Sequence, residues 1–158
     1  WNGVLLAITA LATLASGWYS DRLAARAGSA ARLRRAFLIA GLLVTGLAMP
    51  FTVAPSAWVS AVSLVIAFTG IGIYVSNCWA FTQTLAGPAA GRWTGMQNAF
   101  ANLGGVIAPA LTGILVEKTG RFFPAMMASA GVLLIGVAAY VFLARVPRRE
   151  DDGTPEAV

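Results

Sequence analysis

Histidine is absent from the 158 residues, cysteine occurs once, and only 11% of positions are charged, against about 25% in ordinary soluble domains. Without histidine, and with no acid inside its apolar runs, the chain offers neither a metal-ligand set nor a nucleophile paired with a base there, so an enzyme is not expected and no cofactor is called for. The one cysteine, Cys78, has no partner for a disulfide and sits in an apolar run, where it reads as a small packing residue. The start lacks a methionine and the basic region of a signal peptide, since the chain opens on Trp1 in an apolar stretch. We read this as a chain whose N-terminal part lies upstream.

What the chain does have is hydrocarbon. Hydrophobic residues make up 58% of it and the mean hydropathy is +0.76. Charge is confined to short intervals, with none in residues 1–20, 36–91, 93–116 or 122–144. Each gap is long enough to cross a bilayer core, which takes about 20 apolar residues. The expectation is an all-α polytopic membrane protein with five transmembrane helices, at about 1–18, 36–54, 57–84, 92–116 and 121–144. Pro50 and Pro55, then Gly87-Pro88, then Lys118-Thr119-Gly120 supply the breaks between them.

The sequence pI near 10.4 would suggest nucleic acid in a soluble protein, but here the basic residues lie in the connections and set topology instead. Arg22, Arg26, Arg32, Arg34, Arg35, Arg92, Arg145, Arg148 and Arg149 fall on one side, against Lys118 and Arg121 on the other. That asymmetry puts the C-terminus in the cytoplasm, with the chain in the inner (plasma) membrane. Residues 1–149 then form a partial transmembrane bundle, and the acidic stretch 150–158 is expected to be a disordered tail.

Inside a membrane helix, polar side chains turn toward protein or water, because an unpaired polar group in hydrocarbon costs several kcal/mol. On the third span Thr69, Ser76 and Gln83 recur every seven residues and share a face with Trp79. Asn77 lies beside them, with Tyr74 and Phe81 widening the surface. On the fourth span Thr94, Asn98, Asn102, Gly105, Pro109 and Thr112 form a continuous stripe. Asn98 and Asn102 point the same way and offer donors and acceptors, which suits hydroxyl or carboxylate recognition; the alternative is that they tie the helix to a neighbour. Pro109 removes a backbone hydrogen bond near Gly105, so a kink is expected there. Small pairs, Gly41 with Gly46 and Gly91 with Gly95, would let helix backbones approach. The spans hold no ionisable residue, so any ion-coupling group must lie outside this chain.

The connection Gly17-Trp18-Tyr19-Ser20-Asp21-Arg22 resembles the G-x-x-x-D-R signature of major facilitator superfamily transporters, although the G-R-R that usually follows is altered. In physical terms, Gly17 would permit close contact, Asp21 would face a helix N-terminus and Arg22 would supply a salt bridge. The stretches from Asn77 to Pro88, Gly91 to Asn98 and Asn102 to Pro109 resemble the anion:cation symporter branch, which carries hexuronates, galactonate, glucarate and related organic anions, in bacteria usually with protons. The resemblance implies helices 8 to 12 of a twelve-helix fold, working with a missing N-terminal helix bundle. It also implies a substrate site at Ser76, Trp79 and Asn98, with Asn77 and Asn102 adjacent, and structural or gating roles for Gly17, Asp21, Arg22, Arg92 and Pro109. The arginine that pairs with substrate and the proton-carrying acids of that branch have no counterpart here. A second class remains open: a non-transporting membrane scaffold whose glycine-rich faces bind other helices.

Overall fold

The computed structural model describes residues 2–26 and 29–144, and the basic residues after 144 and the acidic tail lie outside that range. Five α-helices follow one another: α1 (Asn2–Ala24), α2 (Ala30–Ala48), α3 (Ala57–Ala86), α4 (Ala90–Thr119) and α5 (Phe123–Phe142). Four stretches are long and apolar enough to cross a membrane; one of them, Ala57–Thr119, runs through both α3 and α4. At 30 residues each, α3 and α4 are about 45 Å long.

The turns obey backbone chemistry. Met49–Val53 forms a 3-10 turn around Pro50 between α2 and α3, and a second, Gly87–Ala89, joins α3 to α4. Gly87 (φ 50°) and Gly120 (φ 66°) end their helices in the positive-φ region that glycine enters without a Cβ clash. α1, α3, α4 and the start of α2 overrun the apolar runs, whereas α5 stays inside its own. α2 starts at Ala30 because the Ser29 side chain accepts the Arg32 N–H and caps the helix, so Arg32, Arg34 and Arg35 lie on its first turns.

Neighbours alternate in direction, with α3 in the middle. Two glycines on it, Gly70 and Gly72, are about 200° apart around the helix and open it on opposite sides. A Cβ on Gly70 would lie 2.9 Å from the Gly41 carbonyl oxygen, and a Cβ on Gly41 2.6 Å from the Tyr74 nitrogen, so α2 and α3 cross backbone to backbone. Across that crossing the Thr45 hydroxyl donates to the Ala67 carbonyl at 3.2 Å. A Cβ on Gly72 would meet Ala12 Cβ and the Thr9 carbonyl oxygen at 2.7 Å, fixing α1 on the other side. Leu38, Leu42, Ala31, Cys78 and Phe81 form the buried core between α2 and α3, with Leu133, Val137 and Tyr140 of α5 packed against it.

The close contacts differ from the expected pairs. A Cβ on Gly46 would meet Leu133 Cβ at 3.4 Å and one on Gly17 would meet Ser76 Cβ at 3.7 Å, both near ordinary packing distance, while a Cβ on Gly91 or Gly95 would have nothing within 4 Å. α4 has no buried residue and runs unbroken through Pro109.

Gly70→Val should separate α2 from α3 and cost about 1–3 kcal/mol or more, since backbone atoms cannot step aside as a side chain would. Gly131→Ala, where a Cβ would meet nothing within 4 Å, should leave stability unchanged or raise it by up to about 1 kcal/mol, the gain in helix propensity. Thermal unfolding of the detergent-solubilised protein checks both; equal behaviour of the two variants would contradict the crossing.

Candidate functional site

The α1–α3 seam is polar. Ser16 Oγ and Ser76 Oγ are 2.8 Å apart, and the Asn77 amide donates to the Ile73 carbonyl at 2.9 Å and reaches Ser16 Oγ at 3.4 Å. Asn77 is fully buried, and its Oδ1 has no partner. Toward the other end of the seam Thr9 donates to the Phe68 carbonyl at 3.3 Å. Ser76 and Asn77 are therefore brought together, but they face α1, and the groups that hold them there were not among those singled out from the sequence. The signal was present: Thr9, Thr13, Ser16 and Ser20 step by four, three and four, the same helical stripe that marks α4.

Tyr74 and Phe81 do not widen that surface, because with Cys78 they step by four and three onto the opposite face of α3. There the Tyr74 and Tyr140 hydroxyls lie 3.5 and 3.6 Å from Cys78 Sγ, and Phe81 stands edge-on to Tyr140 at 6.1 Å. Trp79 stays half-buried, one turn beyond Ser76. Thr69 bonds within its own helix to the Val65 carbonyl, and Gln83 is exposed.

On α4 the amide of Gln97 donates to Cys78 Sγ at 2.8 Å, which joins α4 to α3. Thr94, one turn earlier, is turned inward, and its hydroxyl has no partner. Asn98 and Asn102 are exposed; the Asn102 amide donates to the Asn98 carbonyl at 2.9 Å. This leaves the Asn98 side chain without a hydrogen bond among the described residues, and no hydrogen bond there links either asparagine to Ser76, Asn77 or Trp79. Pro109 and Gly105 are likewise exposed on this helix. The arrangement supplies neutral donors and acceptors only, and no group of His, Cys, Asp or Glu among the described residues could hold a metal ion.

One charged junction ties the helix ends together. Asp21 pairs with Arg34 at 2.9 Å, not with Arg22, which stands one residue further round α1 and lies 4.0 Å over the Trp18 ring four residues back. Arg34 also donates to the Ala80 carbonyl at 3.2 Å and to the Thr84 hydroxyl. Arg35 donates to the Val141 carbonyl at 2.6 Å. The two guanidinium groups thus meet the C-terminal turns of α3 and α5, where the helix dipole favours a cation. Arg92 is exposed and makes no ion pair among the described residues.

Long apolar antiparallel helices with most of their charge at one end define a multi-pass α-helical membrane protein. Its family follows from comparison: the Major Facilitator Superfamily profile matches residues 3–157, and the chain belongs to that superfamily. It is 29% identical over 128 residues, 80% of its length, to a probable sulfoacetate transporter of Cupriavidus necator. It is 33% identical over 93 residues, 58% of its length, to a putative tartrate transporter of Agrobacterium vitis. Over 127 residues, 80% of its length, it is 27% identical to a probable galactarate/D-glucarate transporter of Bacillus subtilis. These matches cover 30%, 21% and 28% of the relatives' own lengths, so the chain spans less than a third of each. No solved structure matches it.

The Asp21 side chain is 64% exposed and that of Arg34 only 20%. Asp21→Asn should therefore cost less than about 1 kcal/mol. Arg34→Ala, which removes the hydrogen bonds to the Ala80 carbonyl and the Thr84 hydroxyl as well as the ion pair, while leaving Thr84 bonded to Ala80, should cost about 1–2 kcal/mol. Equal losses in thermal unfolding would mean that the ion pair alone matters.

Proposed function

We propose that the chain supplies helices 8 to 12 of a twelve-helix symporter for organic anions such as sugar acids, driven by protons and working by alternating access. Residues 1–149 are part of its C-terminal bundle, with α3 and α4 as separate spans, and the N-terminal bundle belongs to the same protein. The basic end and the C-terminus face the cytoplasm, and the membrane is the inner one. The observation that carries this reading is on α4. Asn98 and Asn102 are exposed polar groups on a helix with no buried side, and in a bilayer such groups must face a water-filled cavity or another protein surface.

A wall of neutral amides and an indole holds the hydroxyls of a polyol acid without fixing its charge. The carboxylate and the protons then fall to the other bundle, in line with the branch that the sequence resembles and with the organic acids for which the relatives are named. Within this wall Trp79, Asn98 and Asn102 meet substrate. Ser76 and Asn77 hold α3 against α1 and position Trp79. Gly17, Asp21, Arg22, Arg92 and Pro109 serve the cytoplasmic junction and the bending of α4.

Proteoliposomes of the protein from its complete reading frame should accumulate hexuronates, aldonates or related carboxylates under an inward proton gradient. Trp79→Ala and Asn98→Ala should each raise the apparent KM about tenfold, the loss of roughly one hydrogen bond or stacking contact, at normal membrane levels. Absence of uptake with every carboxylate would overturn transport and favour a scaffold. Uptake with unchanged KM in both variants would make the stripes packing surfaces.

Asn77→Ala should instead lower the unfolding temperature and leave KM unaltered. A raised KM with normal stability would return Asn77 to the substrate surface.

A further inference from the structure

Where the last turns of α3 meet the first turn of α4 and the last turn of α5 there is a cavity of about 360 Å³, lined by Phe81, Thr82, Leu85, Ala86, Trp93 and Tyr140. It lies on the far side of α3 from the Ser16–Ser76–Asn77 seam. Its polar groups are mostly engaged. The Thr82 hydroxyl donates to the Cys78 carbonyl at 3.1 Å, and the Tyr140 hydroxyl lies against Cys78 Sγ. What remains for a guest is the Phe81–Tyr140 edge-to-face pair, the Leu85 and Ala86 side chains, and the exposed Trp93, whose indole N–H has no hydrogen-bond partner among the described residues. A polar solute would lose its hydration there for one donor in return. A hydrocarbon chain would lose nothing.

The position of the cavity narrows the guest further. It opens at the end of the bundle that carries Arg22, Arg26, Arg32, Arg34, Arg35 and Arg92, and the one acid there among the described residues, Asp21, is already paired with Arg34. Arg92, adjacent to Trp93 in the first turn of α4, is exposed and has no ion pair among the described residues. Tryptophan beside arginine marks the headgroup level of a bilayer. We propose that this cavity holds one acyl chain of an anionic phospholipid, whose headgroup phosphate is met by Arg92 and whose ester region is met by the Trp93 N–H. Such a lipid would wedge α4 against α3 and α5. The proposal needs only that the chain spans a bilayer, so a failure of uptake would not touch it.

The test is native mass spectrometry of the protein after exchange into equal amounts of phosphatidylglycerol and phosphatidylcholine with identical chains. The unmodified protein should retain one phosphatidylglycerol in preference to phosphatidylcholine. Arg92→Gln should reduce that preference about fivefold, the effect of one arginine at an anionic surface. Ala86→Phe, which fills the cavity, should remove the tightly held lipid of either kind. No preference in the unmodified protein, or a preference unchanged by Arg92→Gln, would overturn the site; should Ala86→Phe fail to give monodisperse protein, the Arg92→Gln comparison alone decides.

Discussion

Gly41 and Gly70 bring the backbones of α2 and α3 so near that no side chain fits between them, and the rest of the bundle is arranged around that contact. In lipid, apolar side chains gain little by leaving one apolar medium for another, so helices are held by close packing and by hydrogen bonds that cross between them. Both occur at this crossing, where the missing Cβ atoms let Thr45 reach the Ala67 carbonyl on the facing helix. Gly72, two residues on, repeats the device toward α1, and the serine pair at Ser16 and Ser76 follows one turn later. α3 is thereby fixed on both sides, and its register decides what the other helices present.

The register of α2 on α3 also places the charged junction. From the Gly41 crossing, two turns back along α2 lead to Arg34 and Arg35, and the antiparallel α3 and the C-terminal turn of α5 arrive beside them with carbonyls that accept from the guanidinium groups. A guanidinium has five donors in a planar fork, so Arg34 can serve Asp21 of α1 and the end of α3 together. That arrangement explains why the aspartate's partner stands thirteen residues away and not next door. Among the described residues it also leaves Arg92 without an ion pair at the same end of the bundle.

The helices were legible because charge is excluded from hydrocarbon over long uninterrupted stretches, and Gly87, Pro88 and Gly120 marked the ends of α3 and α4. The ends of α1 and α2 were not, since both helices carry their charged residues beyond the apolar run. Polar stripes were legible as periodicity, but periodicity does not say what lies opposite. Ser76 and Asn77 recur on a face that the fold gives to α1, whereas Tyr74, Cys78 and Phe81 go to α2 and α5. Only the identity of the neighbouring helix separates these cases. The matching stripe on α1, Thr9 to Ser20, carries the missing half of that information, since two polar stripes in adjacent apolar helices satisfy one another at lower cost than either does alone. Gly70 and Gly72 escaped a search for paired small residues for a related reason. Each closes a different interface, so the pairing runs across helices and not along one.

α4 has no comparable partner among the described residues. It touches α3 through Gln97 and Cys78 and α5 more loosely, and its asparagines, glycines and Pro109 are left outward. For a helix of a multi-pass membrane protein this is a poorly satisfied surface, and between Arg92 and Glu117 its polar part is electrically neutral. A neutral surface cannot by itself concentrate an anion from water, because amides offset the lost hydration of a carboxylate far less well than a paired arginine does. It can, however, distinguish hydroxyl patterns once charge is neutralised elsewhere. Under the proposed function the division of labour would follow from that chemistry: selectivity among polyol acids would fall to the α4 face, and affinity for the acid group to the bundle proposed to cover it.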